Sequence, residues 1–265
     1  MIGIFDSGLG GLSALKAARR LLPKQDIVYF GDTGRVPYGT KSKETIIRYA
    51  LQDMRFLKTF PVDAVLVACG TVSSNALDVL RETFPETPII GVIDAAVGKA
   101  LSCSNKKIIG VAGTAATVRS GAFARALKAG DPAVRIVEAA CPLFVPLVEN
   151  GFIEKDNEIT RLTVKQYLTP VKEAGADTLI LGCTHFPIIA ETISSVFPGI
   201  RLINVSEEAA KELASLLEER GLAGNGSGKT SYFVSDEPEG FASVASVFLG
   251  ETMNGKVEPI PIEKF

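Results

Sequence analysis

The sequence predicts an α/β fold: two tandem, pseudo-symmetric parallel-sheet domains facing a shared cleft. Three observations carry this. Strand-type and helix-type segments alternate strictly along residues 2–92 and again along 107–205, the order expected of parallel sheets covered by helices. The second run restarts like the first, KIIGVAG from Lys107 matching MIGIFDS from Met1. Two stretches also align without a gap, DAVLVACGT (Asp63 to Thr71) and DTLILGCTH (Asp177 to His185), each an apolar strand ending in a cysteine. Such a repeat suggests an internal duplication. It places the domain boundaries near Asp94 and Ser206, with a first domain of residues 1–93 plus 206–265 and a second of 94–205.

The elements follow in order. Ile2 to Phe5 is a short strand entering the turn DSGLGG, and Leu12 to Leu22 has helical spacing with Leu12, Leu15, Ala18, Leu21 and Leu22 on one face. Asp26 to Phe30 is a strand, followed by the loop GDTGRVPYGTKS. Lys43 to Phe60 is an amphipathic helix capped by Ser42. Val62 to Ala68 is the first cysteine strand, with a helix from about Ser74 to Phe84 and a strand from Pro88 to Val92. After the restart come a helix near Val118 to Ala129, the strand Val134 to Ala139, the loop CPLFVPLVENG and a helix near Asp156 to Ala174. The second cysteine strand precedes a helix near Ile188 to Phe197 and the strand Ile200 to Val205. The tail reads as the helix Glu207 to Glu219, the strand Ser231 to Val234 and the helix Gly240 to Leu249. It does not form a third copy and is expected to complete the first domain.

Composition narrows the function. At 265 residues, 46% apolar and 22% charged, the chain suits a globular protein of one large or two ordinary domains. A net charge of −2 provides no basic field for nucleic acid or an anionic membrane. No apolar run approaches the roughly 20 residues of a membrane helix. The N-terminus enters a strand at once, without the pattern of a signal peptide. Four cysteines are too few for a disulfide scaffold, so a reducing cytoplasm is the expected location. No metal site is expected, because there is no CxxC and His185 is the single histidine.

The chemistry centres on Cys69 and Cys183. A strand cysteine is more often core than catalytic. These two, however, both end a parallel strand just before a helix, where open α/β sheets bind ligands. The helix N-terminus there favours a thiolate and an anion. Cys103 and Cys141 lack this setting and read as structural or incidental. His185, two residues from Cys183, is placed to tune that thiol. Asp6 ends the strand expected beside that of Cys69 and is placed to serve it, even if Asp6-Ser7-Gly8 is also a turn and cap. Glu149 is a further carboxylate aimed at the cleft. The segment AGNGSGKT (Ala223 to Thr230) approaches a phosphate-binding loop, but a helix precedes it and a strand follows, the reverse of what that motif needs. DSGLGG likewise lacks dinucleotide spacing.

Two thiols facing one cleft can form a disulfide, bind a metal, or act on opposite faces of one carbon. Further metal ligands are missing, and redox dithiols usually come as CxxC. The remaining option is proton exchange at a stereocentre, one sulfur removing the proton and the other returning one.

At this point the residues resemble the bacterial glutamate racemases of the cofactor-independent aspartate/glutamate racemase superfamily. The resemblance rests on DSGLGGLS at 6–13, YFGDTGRVPYG at 29–39, ACGT at 68–71, CPLFVPLVE at 141–149 and LGCTHFP at 181–187. It implies Cys69 and Cys183 as the acid/bases, with Asp6 assisting Cys69, and His185 with Glu149 assisting Cys183. It also implies that Asp6, Ser7, Tyr38, Gly39, Gly70, Thr71, Thr184 and His185 hold the substrate, glutamate. A cytoplasmic, often homodimeric enzyme without pyridoxal phosphate or another cofactor is implied, supplying D-glutamate for peptidoglycan. One position departs: the family usually has Cys-Asn-Thr where this chain has Cys69-Gly70-Thr71. The missing amide keeps aspartate or another acidic amino acid open as substrate. The competing class is a non-catalytic nucleotide binder using AGNGSGKT.

Overall fold

The computed structural model describes residues 1–224, 226–253 and 255–265. The first half runs β1 (Ile2–Asp6), α1 (Leu12–Leu21), β2 (Ile27–Gly31), α2 (Lys43–Leu57), β3 (Ala64–Val67), α3 (Gly70–Asn75), α4 (Leu77–Thr83) and β4 (Ile89–Ile90). The second runs α5 (Asp94–Cys103), β5 (Ile108–Gly113), α6 (Ala115–Ser120), α7 (Ala122–Gly130), β6 (Arg135–Ala140), α8 (Phe144–Glu149), α9 (Glu158–Glu173), β7 (Thr178–Leu181), α10 (Ala190–Val196) and β8 (Arg201–Asn204). The tail adds α11 (Val205–Glu219), β9 (Thr230–Val234), α12 (Pro238–Leu249) and β10 (Val257–Pro259).

Two parallel sheets result, ordered β10-β9-β2-β1-β3-β4 and β6-β5-β7-β8. The second matches the last four strands of the first, position by position. The pairing registers match too. Ile2 and Gly3 pair with Ala64 and Val65, while Ile109 and Gly110 pair with Thr178 and Leu179. A one-residue slip would turn every side chain to the opposite face. Equal registers therefore deliver Cys69 and Cys183 to equivalent positions in their own sheets. Both central strands of the first sheet, β1 and β3, are buried along their whole length, which is why their sequences are continuously apolar.

The tail strands β9 and β10 extend the first sheet beyond β2. Helix α11 packs against both α1 and α5, so the tail joins helices from the two halves. Ser13 strengthens this junction. Its hydroxyl donates to the carbonyl of Thr184 at 3.1 Å and lies 2.7 Å from Ser206 Oγ.

Several elements differ from the sequence reading. Helix α5 has no counterpart in it, because DAAVGKALSC is too uniformly small to show an apolar stripe. The CPLFVPLVENG segment, read as a loop, contains the short helix α8. The helix expected over 118–129 divides at Gly121, whose φ of +63° ends one helix and starts the next. The helix expected from Ser74 begins at Gly70, directly after Cys69. Leu21, assigned to the buried face of its helix, is 37% exposed.

The AGNGSGKT segment lies between α11 and β9. Asn225 within it is outside the described residues. The N–H groups of Ser227 and Lys229 donate to the carboxylate of Asp26 at 2.9 and 3.0 Å. An acidic side chain thus occupies donors that a phosphate loop would offer to its ligand.

Candidate active site

The C-terminal ends of β1, β3, β5 and β7 point toward one another and enclose a cavity of about 290 Å³. Ser7, Tyr38, Gly39, Cys69, Thr71, Glu149, Cys183, Thr184 and His185 line it, all of them expected from the sequence. Neither lysine nor arginine occurs among the described lining residues. An anion held there must therefore rely on hydroxyls, backbone N–H groups and the His185 ring.

On the first side, Cys69 is the N-cap residue of α3 and is buried. Its thiol donates to Ser7 Oγ at 3.3 Å. Asp6 lies behind that serine, buried, with one carboxylate oxygen accepting from the Gly8 N–H at 2.9 Å and the other without a partner among the described residues. Burial raises the Asp6 pKa, against the opposing pull of His185. Burial and then the Asp6 charge push the Cys69 thiol up to about 12. A helix N-terminus favours a thiolate, but at Cys69 the surroundings prevail over it. Removal from water and a nearby carboxylate outweigh a six-residue helix.

The second side is electrostatically opposite. Cys183 Sγ lies 3.8 Å from Nδ1 of His185, and the other ring nitrogen lies 2.9 Å from Glu149 Oε1. Glu149 is the last residue of α8, so the helix that the sequence reading missed is what carries this carboxylate to the ring. Phe248 of α12 packs edge-on against His185 with centroids 5.2 Å apart. Burial pulls the His185 pKa down, but hydrogen bonds and charge from Cys183 and Glu149 prevail and raise it to about 10. The ring is therefore an imidazolium near neutrality.

Two expected residues do not line the cavity. Asp6 sits one layer behind it, and the Cα of Gly70 faces Gly182 rather than the open space. Tyr38 lines it, but its hydroxyl is directed elsewhere, donating to the buried carboxylate of Asp32 and lying 3.3 Å from that of Asp53. Arg35 clasps the same pair, Nε to Asp32 at 2.7 Å and Nη2 to Asp53 at 2.9 Å. This buried network anchors the loop that presents residues 36–40 to the cavity.

Cys141, read as structural, lines the cavity. Burial raises its thiol pKa, with the charge of Cys183 adding to the effect. Thr114 is a further lining residue that the sequence reading did not single out. Its hydroxyl lies 3.0 Å from that of Thr71, bridging the two halves. The duplication could have found it, because aligning Gly3 with Gly110 makes Thr114 the counterpart of Ser7.

Fold and site together define a class: a duplicated parallel α/β protein whose two equivalent strand ends place two thiols in one buried, cation-poor cavity. The chain belongs to the Asp/Glu/Hydantoin racemase family, whose model matches residues 13–213. It is 44% identical to a glutamate racemase of Sulfurihydrogenibium over 97% of this chain and 96% of that one. It is also 44% identical to that of Geobacter metallireducens over 99% and 97%. Among solved structures, a glutamate racemase from Francisella tularensis in complex with D-glutamate superposes with a TM-score of 0.93 at 38% identity, covering 100% of this chain and 98% of the other.

Proposed function

We propose that this chain interconverts L- and D-glutamate by proton exchange at Cα. The observation that carries this is the entry of Cys69 and Cys183, from equivalent strands, into one cavity. One sulfur takes the α-proton as the C–H bond breaks, and the electron pair remains on the substrate, spread into its carboxylate. The other sulfur gives up its proton to form the new C–H bond on the opposite face. The starting protonation pattern follows from the surroundings. Cys69, buried beside Asp6, starts as the thiol, and the His185 ring stands against the other sulfur, Nδ1 at 3.8 Å from Cys183 Sγ. Asp6, by its charge beside Cys69, and Glu149, through His185, adjust the two sulfurs without touching the substrate carbon.

The hydroxyls of Ser7, Thr71 and Thr184, with the backbone at Gly39, hold the substrate's carboxylates and amino group. Tyr38 contributes its ring and backbone, because its hydroxyl is engaged with Asp32. The chain acts in the cytoplasm as a homodimer and supplies D-glutamate for peptidoglycan, without a cofactor. Two domains divide it, residues 1–93 with 206–265 and residues 94–205.

The test is incubation with L- or D-glutamate in heavy water, following optical rotation and deuterium at Cα, with aspartate run in parallel. Inversion of glutamate with deuterium entering the product is expected, along with its loss in both Cys69→Ser and Cys183→Ser. A folded protein that exchanges no α-proton of glutamate sinks the proposal.

A further inference from the structure

Gly10 and Gly11 are neighbours in the DSGLGG turn that leads into α1, and each stands against one of the two groups that serve the thiols. An ideal Cβ built on Gly10 would lie 2.4 Å from Nδ1 and 2.6 Å from Cε1 of His185, and 2.2 Å from Thr184 Oγ1. One built on Gly11 would lie 2.4 Å from Asp6 Cβ and 3.1 Å from the Cβ of Ala68, the residue before Cys69. We infer that Gly10 is a positioning residue for the His185 ring and Gly11 its counterpart for Asp6, so that one turn sets both acid/base devices. This deepens the proposed racemisation and rests on that reading.

Neither glycine is needed for its backbone freedom: φ is positive at neither position, and at Gly11 it is −61°. Space is the constraint. The Gly10 turn is tied to the strand end it faces, because the Ser13 hydroxyl that reaches the Thr184 carbonyl also lies 2.8 Å from the Gly10 carbonyl. The His185 ring is held in turn by Glu149 at 2.9 Å and by the edge-on Phe248 ring at 5.2 Å. The Thr184 hydroxyl can rotate away from a methyl group at residue 10, but a rigid five-membered ring cannot. Nδ1 must therefore leave the position from which it faces Cys183 Sγ at 3.8 Å. At residue 11 the methyl group meets Asp6 at its Cβ, next to the backbone of β1, so the carboxylate moves as well. Ordinary contact begins near 3.4 Å, so each displacement is about 1 Å. A misplacement of about 1 Å at an active site can cost on the order of 100-fold in rate.

The kinetic signature is specific to each side. With His185 displaced, Cys183 is the impaired sulfur. The enantiomer whose α-hydrogen faces Cys69 still loses its proton, but delivery from Cys183 is slow. The carbanion is then reprotonated on the face it came from, once the Cys69 thiol has exchanged with solvent. Deuterium consequently enters that enantiomer with its configuration retained, whereas the other enantiomer exchanges slowly. With Asp6 displaced, Cys69 is the impaired sulfur, and retained exchange moves to the opposite enantiomer. A general loss of stability produces no such opposition.

The experiment compares wild type, Gly10→Ala, Gly11→Ala, His185→Ala and Gly98→Ala on each glutamate enantiomer in heavy water, reading kcat and the ratio of retained to inverted Cα exchange. Gly98 is a control within α5, where an added Cβ meets nothing within 4 Å. Expected is a kcat lower by about 100-fold in Gly10→Ala, with a raised retention ratio on the same enantiomer as in His185→Ala. Gly11→Ala raises the ratio on the opposite enantiomer, and Gly98→Ala behaves as wild type. Should Gly10→Ala not fold, the double variant Gly10→Ala/His185→Ala, which has no ring for the methyl group to strike, is compared with His185→Ala. There the two kcat values are expected to agree, because the two changes act on one contact. Unchanged retention ratios in active, folded Gly10→Ala overturn the inference, as does a raised ratio on the same enantiomer in Gly10→Ala and Gly11→Ala. A double variant that still fails to fold, or that loses a further 100-fold or so, overturns it too. A wild-type protein with no exchange on either enantiomer is instead a failure of the racemase reading.

Discussion

Glu149 and His185 meet at 2.9 Å, carboxylate oxygen to Nε2, and the far nitrogen of the same ring faces the Cys183 sulfur at 3.8 Å. One imidazole thus relays a carboxylate's influence to one thiol, while the other thiol has a carboxylate and a serine but, among the described residues, no cation. The duplicated backbone carries two unlike acid/base devices.

The alkaline side of the pH–rate profile follows from that ring. His185 loses its proton near pH 10, where its pKa is raised to about 10. kcat/KM, which reports the free enzyme, is expected to fall as pH rises through this region. His185→Asn removes the limb and lowers kcat by about 100-fold or more. Steady-state rates across the alkaline range check both parts. An unaltered limb in His185→Asn assigns it to another group.

Thermal stability provides an independent measure. His185 has a folded pKa of about 10, above the ordinary histidine value of about 6.5. A cationic group shifted in this direction contributes stability that is complete below the unfolded pKa and is lost as pH rises toward the folded one. The melting-temperature gap between wild type and His185→Asn is therefore widest near about pH 6 and narrows toward about pH 10. A gap that widens with pH contradicts the sign.

Among the described residues, Arg35 is the only cation bonded to the Asp32–Asp53 pair, and both carboxylates are fully buried. Arg35→Leu leaves two buried acids without it, a loss of about 3–5 kcal/mol in urea unfolding. Because Arg35 anchors the loop that lines the cavity, the same variant is expected to raise KM. Arg35→Lys, which has no planar fork, should recover only part of either effect.

Cys141 shares the cavity but, among the described residues, has no imidazole or carboxylate partner; its thiol donates to the Ala139 carbonyl at 3.5 Å. Burial keeps it protonated. Cys141→Ala is therefore expected to turn over close to wild type, in contrast to the serine variants of Cys69 and Cys183. Parallel racemisation assays make the comparison, and loss of turnover in Cys141→Ala would make it a third participant.

The two-sheet α/β class and the strands that lead into Cys69 and Cys183 are specified locally. Those features are written in local alternation, in continuous apolar runs and in a gapless repeat, all of which depend on neighbours in the chain. The family motifs were legible for the same reason, being short and contiguous. What surrounds each thiol arises from the folded chain. The protonation of Cys69 depends on burial and on Asp6 from another strand, and that of His185 on Glu149, brought 36 residues from α8. Cys141 and Thr114 enter the cavity because the sheets face each other, which no local pattern records. Gly70 is the sharpest case. In the sequence it is a missing amide, whereas in the fold its Cα stands against the Gly182 carbonyl rather than the open cavity, because packing distances arise only when distant segments meet.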